Sequence, residues 1–256
     1  MKWPKYLAWL RHAMSAYNNL KILKDRDPDY TAFVAAFEAD FLSEETRRLA
    51  KIIWDKYSLG VGDHDTDLSD EGHRQSNSVG YGLKETLEPP EFIFVSPHRR
   101  TKLTLEGFYQ GWPALKDVPV IEEVRLREQE HGLALVYNDW RVFQTFHPEQ
   151  KMLRDMEGPY YYRYPQGESV PDVIERLRSF IGTLVRDYSE RRVMVVSHHL
   201  TLLSFMAAVM RWDQHEFIRY DNVAKPINCG LTLFEGDPSV GDNGRLQLSR
   251  YNQRLY

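Results

Sequence analysis

The chain has 256 residues, 42% hydrophobic and 27% charged, with 33 Lys and Arg against 37 Asp and Glu for a formal net charge of -4. That is a globular composition and excludes a disordered, collagen-like or coiled-coil chain. The mild acidity argues against nucleic acid or an anionic membrane surface as partner. The single cysteine, Cys229, excludes an internal disulfide and a multi-cysteine metal centre.

The first apolar run, residues 6–10, stops at Arg11 and His12. It is too short for the core of a signal peptide, and no stretch reaches the roughly 18 apolar residues of a membrane span. A cytoplasmic, soluble protein is therefore expected. Residues 6–10 read as a strand buried on both faces, because the run is continuous rather than alternating. Between Asn19 and His64 come two helical patterns, Phe33, Phe37 and Phe41, then, after Ser43, Leu49, Ile52, Ile53 and Tyr57. Ser69, with Asp70 and Glu71 behind it, is a good N-cap with acidic residues in the first turn. Gly80, Tyr81 and Gly82 lack the remaining glycine of a dinucleotide fingerprint and read as part of a loop.

A second buried strand is expected at residues 92–95, running into Ser96, Pro97, His98, Arg99 and Arg100, with a helix over 101–109. Ser169 and Asp172 resemble a capping box opening a helix through Val173, Leu177, Phe180 and Leu184. A third strand, residues 193–196, ends at Ser197, His198 and His199 before a helix over 200–210. Residues 231–234 read as a late strand, and 237–243 as a polar turn. Strand-then-helix repetition predicts an α/β fold with a mostly parallel sheet. In such sheets ligands bind outside the carboxyl ends of the strands. Arg11, His12, Arg100 and His198 are thereby predicted to gather at one edge, a cationic cluster suited to a small anion.

A histidine beside an arginine is a competent phosphoryl acceptor, the guanidinium neutralising the equatorial oxygens. His64, His73, His98 and His131 raise the alternative of zinc, but no H-x-x-x-H or H-E-x-x-H spacing occurs, so no metal is expected. Glu128, in a charged segment, is a candidate acid for a departing alkoxide.

These residues carry a resemblance. Arg11, His12, Ala13, Met14 and Ser15 with Asn18 resemble the R-H-[GA]-x-[ST]-x-x-N signature of the histidine phosphatase, or phosphoglycerate mutase-like, superfamily. In order come Leu68 to Gly72 (L-[ST]-x-x-G), Ser96 to Arg100 (S-P-x-x-R), Leu126 to Gly132 (L-x-E-x-x-x-G), Gly167 to Ser169 (G-E-S) and Val196 to His198 (V-S-H). Each motif alone is weak, and six in the right order are strong. The resemblance implies a three-layer α/β/α fold, one domain over residues 1–256 with a helical insertion at about 19–64 and a cap or lid at about 133–165. Tyr160, Tyr161, Tyr162 and Tyr164 stand either as an aromatic lid or as a packed loop.

For function the resemblance implies a metal-independent phosphomonoesterase with no cofactor, acting on a small phosphorylated substrate. His12 would be the nucleophile that becomes phosphohistidine, with His198 beside it and Glu128 as proton donor. Arg11 and Arg100, with Ser15, Asn18 and His199, would bind phosphate. Two positions depart from the pattern: Ala13 for the commoner glycine, and His199 where glycine usually comes after the second histidine. A cofactor-dependent phosphoglycerate mutase-type phosphotransferase is the alternative. It is disfavoured because the segment after Asn18 is long and helical and because Arg141 and Arg154 stand apart. A non-catalytic phospho-ligand binder is the third reading, disfavoured because every catalytic position is filled. Oligomeric state and the physiological substrate are not legible.

Overall fold

A computed structural model describes residues 2–256. In chain order the elements are β1 (Tyr6–Arg11), α1 (Ala16–Asp25), α2 (Pro28–Ala39), α3 (Glu44–Lys56), α4 (Asp70–Thr86), β2 (Phe92–Val95) and α5 (Arg99–Gly111). They continue with β3 (Val120–Glu122), α6 (Trp140–Phe146), α7 (Pro148–Tyr161), α8 (Val170–Asp187), β4 (Arg192–Ser197), α9 (His199–Met210), α10 (Gln214–Val223), β5 (Leu231–Asp237) and β6 (Arg245–Gln253). The six strands form one mixed sheet in the order β3-β2-β4-β1-β5-β6. β3, β2, β4 and β1 pair in parallel, whereas β5 runs antiparallel to both β1 and β6. The fold is the expected α/β class, with the parallel part at the centre.

The central strands are buried on both faces. Ala8, Leu10, Ile93, Val95, Met194 and Val196 pack with Val79 and Leu83 of α4 and Leu105 and Phe108 of α5. On the other face Trp9 meets Phe205 of α9 with ring centroids 4.9 Å apart, and Phe94 meets Phe180 of α8 at 5.2 Å. Helices thus cover both sides of the sheet, which is why β1, β2 and β4 have continuous apolar sequences.

Gly80 and Tyr81 do not lie in a loop, as the sequence suggests, but in α4. A methyl group on Gly80 would stand 2.4 Å from the Phe108 carbonyl oxygen, and one on Gly111 2.2 Å from the Tyr81 nitrogen. Glycine weakens an isolated helix by about 1 kcal/mol relative to alanine. Here its lack of a side chain lets α4 and α5 touch backbone to backbone, so the glycines mark a helix contact rather than a break.

The chain divides into two compact units. The first comprises the described residues up to Ser15, His64–Glu128 and Asp172–Tyr256, and it holds the whole sheet. The second comprises Ala16–Asp63 and Gln129–Pro171. Its core is Tyr30, Phe33 and Phe37 of α2, Leu49, Ala50 and Ile53 of α3, and Val142 of α6. Phe41, expected within a helix, falls two residues past the end of α2 and packs on this core from the side. Lys24 and Asp139 form a buried ion pair at 2.7 Å, and the Tyr30 hydroxyl donates to the same carboxylate. The segments expected as insertion and lid fall in this unit, where Tyr162 is buried and donates to Gln150 Oε1. Among the described residues no helix is long and apolar enough to cross a membrane.

Candidate active site

Sheet register explains why residues far apart in sequence share one edge. β4 lies between β1 and β2, and the three are parallel. Arg11 pairs with Ser197 and Val95 with Val196, so the three strands end level. The segments leaving them therefore emerge side by side: His12 after β1, Ser96 after β2 and His198 after β4. The His12 and His198 ring centroids are 5.2 Å apart, edge to face. His98 completes the group, its ring 4.7 Å from that of His198.

The loop carrying His12 is pinned from several sides. The His12 amide donates to Ser197 O, and its own carbonyl accepts from Asn228 Nδ2 at 3.0 Å. The Ala13 amide donates to Thr104 Oγ1 of α5, and the Met14 amide to Gln75 Oε1 of α4. Ser69, which caps α4, donates through its amide and hydroxyl to Met14 O. A side chain on Gly72 would lie 2.0 Å from that same oxygen, so only glycine lets α4 begin this close to the loop. The Leu68–Gly72 motif is thus a docking site for the histidine loop, with capping and close approach done by adjacent turns. His12 Nδ1 lies 2.7 Å from the Ala13 carbonyl oxygen. A carbonyl only accepts, so Nδ1 carries a proton.

Cationic and titratable groups are concentrated here in a largely buried setting. His198 is fully buried, and burial, reinforced by Arg100, His12, His98 and Arg11, holds its pKa well below the usual histidine value. It is neutral near pH 7. Ser96 Oγ sits 2.7 Å from its Nε2, while Nδ1 has no hydrogen-bond partner among the described residues. The Arg11 guanidinium donates to Pro226 O at 2.8 Å. Burial lowers its pKa, Glu128 opposes that and Arg100 adds to it. The Glu128 carboxylate takes hydrogen bonds from the first turn of α9, Leu200 N at 3.3 Å and Thr201 N at 3.2 Å. Among the described residues no three His, Cys, Asp or Glu side chains converge as a metal site. The arrangement brings imidazoles, guanidinium cations and a carboxylate to one sheet edge, groups suited to binding a small anion.

The buried neutral imidazole of His198 makes the fold acid-sensitive. The unfolded chain takes up a proton on this ring near pH 6.5, whereas the folded chain does so only at much lower pH. Unfolding therefore binds a proton in that window, and stability falls as pH drops through it. In phosphate-free buffer, His198→Asn is expected to reduce the acid-side slope of unfolding free energy by up to one proton, about 1.4 kcal/mol per pH unit. Melting curves between pH 7 and 5 measure it, and an unchanged slope would contradict a neutral His198.

A family model described as the histidine phosphatase superfamily (branch 1) matches residues 50–252, well over half of the chain. The chain belongs to the histidine phosphatase superfamily. The match begins after Arg11 and His12, so those two positions stand on the strand-end geometry. Among relatives, the phosphoglycerate mutase-like protein AT74H of Arabidopsis thaliana is 30% identical over 193 residues, 68% of this chain and 65% of that protein. The chain thus matches just under two thirds of that relative's length. Phosphoserine phosphatase 1 of Hydrogenobacter thermophilus is 28% identical over 170 residues, 66% of this chain and 77% of its own. A mycobacterial glucosyl-3-phosphoglycerate phosphatase, solved with inorganic phosphate, shares the fold with TM-score 0.64 at 18% identity, covering 98% of both chains.

The first unit gathers Arg11, His12, Arg100, Glu128 and His198. The adjacent arginines part ways: Arg100 is buried, while Arg99 is exposed and paired with Asp67. Ser15 is buried and bridges to Leu68. Asn18 lies in α1 of the second unit. His199, a candidate phosphate contact, has its Nε2 2.9 Å from Asp221 Oδ1 of α10. The ring that replaces a glycine is thus held against a carboxylate, an arrangement a one-residue motif gives no sign of. Two polar groups of the site escape the sequence reading. Ser96, fully buried, bridges His198 Nε2 and His98 Nδ1, and the Thr201 amide holds Glu128. Ser96 stands inside the S-P-x-x-R motif, its only signal; Thr201 is visible only once α9 is seen to start beneath Glu128.

Proposed function

We propose that this chain hydrolyses small phosphomonoesters through a phosphohistidine on His12, with Arg11 and Arg100 neutralising the transferring group in place of a metal ion and His198 beside it. The reading is carried by the His12 ring: Nδ1 lies against Ala13 O, so in the neutral tautomer Nε2 is the nitrogen that would attack phosphorus, beside a second imidazole 5.2 Å away. In the first step the Nε2–P bond forms and the bond from phosphorus to the leaving oxygen breaks. Glu128 gives that oxygen a proton. In the second step water attacks phosphorus, the P–Nε2 bond breaks, and the water proton passes to Glu128, restoring the acid. Both halves need in-line geometry and neutralised charge, which a rigid cationic pocket supplies.

The test is a phosphate-release screen of aryl, sugar and amino-acid phosphomonoesters, with conversion of 3- to 2-phosphoglycerate measured in parallel. Phosphate release without conversion is the expected result. Conversion without release would establish a mutase, and vanadate binding with no turnover on any ester would leave a phospho-ligand binder.

A further inference from the structure

We infer that Arg176 positions Glu128 for proton donation, an assignment that rests on the phosphatase reading. Glu128 is not on a strand or helix. It leaves a 3-10 turn, Val124–Leu126, after which the backbone has no regular partner. The path of its backbone therefore depends on whatever pins residues 125–128, while its carboxylate rests on the first turn of α9. Arg176, on α8 some fifty positions later, does most of this. Its Nη1 donates to Arg125 O, and its Nη2 donates to Arg127 O at 2.9 Å and Glu128 O at 3.0 Å. One guanidinium thus gathers three carbonyls that a short turn cannot satisfy internally.

Two hydroxyls assist. Ser197 Oγ donates to Leu126 O and Thr201 Oγ1 to Arg127 O, both at 2.8 Å. Ser197 and Thr201 flank His198, so the turn is tied at once to α8 and to the segment bearing the second histidine. The fork of an arginine is needed because the three oxygens are bound by two nitrogens held in one plane, which a single ammonium does not reproduce. Arg176 does not touch the reacting atoms. It acts through Glu128, whose carboxylate must meet the leaving oxygen within hydrogen-bond reach at the moment the O–P bond breaks and the P–Nε2 bond forms.

A positioning role has a signature that a scaffold role lacks. p-Nitrophenolate leaves without a proton, whereas an aliphatic alkoxide does not. We would measure kcat/KM, which reports the phosphorylation step, for p-nitrophenyl, phenyl and alkyl phosphates on wild type, Arg176→Gln, Arg176→Lys and Glu128→Gln. Arg176→Gln is expected to lose on the order of 10²-fold on the alkyl ester, as a displacement near 1 Å does. On p-nitrophenyl phosphate it should stay within about threefold of wild type, general acid help being worth little there. Arg176→Lys should fall between the two and carries the test if the glutamine variant does not fold. Equal losses on all esters would make Arg176 a scaffold residue, and an unchanged alkyl rate would remove it from catalysis; either overturns the inference. Glu128→Gln separates the two layers, for if it shows no leaving-group dependence the acid assignment itself fails whatever Arg176 does.

Discussion

His12→Ala should cut phosphate release from an aryl phosphate by at least about 10⁴-fold while leaving the protein folded. The size comes from the role proposed: removing a covalent nucleophile closes the two-step route, and losses of about 10⁴ to 10⁶ are usual for such groups. The fold should survive, because His12 contributes a polar ring to a cationic pocket rather than to the apolar core. Its loop is held by backbone bonds, from Ser197, Asn228, Thr104 and Gln75, none of which involves the imidazole. Rapid-quench experiments with labelled substrate provide the second readout. Wild type should form an acid-labile, base-stable phosphoprotein, and the alanine variant none. A variant that keeps more than about one-hundredth of wild-type activity would rule out His12 as nucleophile, because general acid-base help from a histidine is worth only about 10² to 10⁴. Added imidazole should restore part of the rate by occupying the vacated volume beside His198.

The residues of this site are readable from the sequence to the extent that they come directly after fully buried strands. β1, β2 and β4 announce themselves because both faces of the central sheet are covered, so each is an uninterrupted apolar run ending at the ligand edge. β3 and β6 give no such signal. β3 is three residues long with none buried, and in β6 only Leu246 is buried. Edge strands with one or no packed face do not carry the pattern that sequence reading uses. α4 is hidden around Gly80 for a related reason: local propensity counts glycine against a helix, whereas the close contact with α5 is a tertiary fact. The same holds for function. His12, Arg100 and His198 can be placed by order along the chain, but the grip of Arg176 on residues 125–128 and the pairing of His199 with Asp221 join segments that no local pattern connects.

The last expectation concerns Arg100 and the charge it brings to the site. Its guanidinium is buried in the first turn of α5, where the helix already presents positive backbone ends. It depresses the pKa values of both His198 and Arg11, so the three groups repel one another whenever they are charged together. A tetrahedral dianion reverses each of these interactions. Inorganic phosphate should therefore stabilise the wild-type protein by roughly 2.7 kcal/mol at a hundred times its Kd, with a matching rise in Tm. Arg100→Met keeps the stem and removes the charge. In phosphate most of the stabilisation should be missing, and kcat/KM should fall by about 10² to 10³-fold, the usual loss for one group stabilising transition-state charge. Arg99→Met is the control, since Arg99 is exposed and paired with Asp67, and surface pairs contribute at most about 1 kcal/mol. Equal phosphate responses in Arg100→Met and wild type would mean that the buried arginine does not meet the anion, and the charge-neutralisation account would have to rest on Arg11 alone.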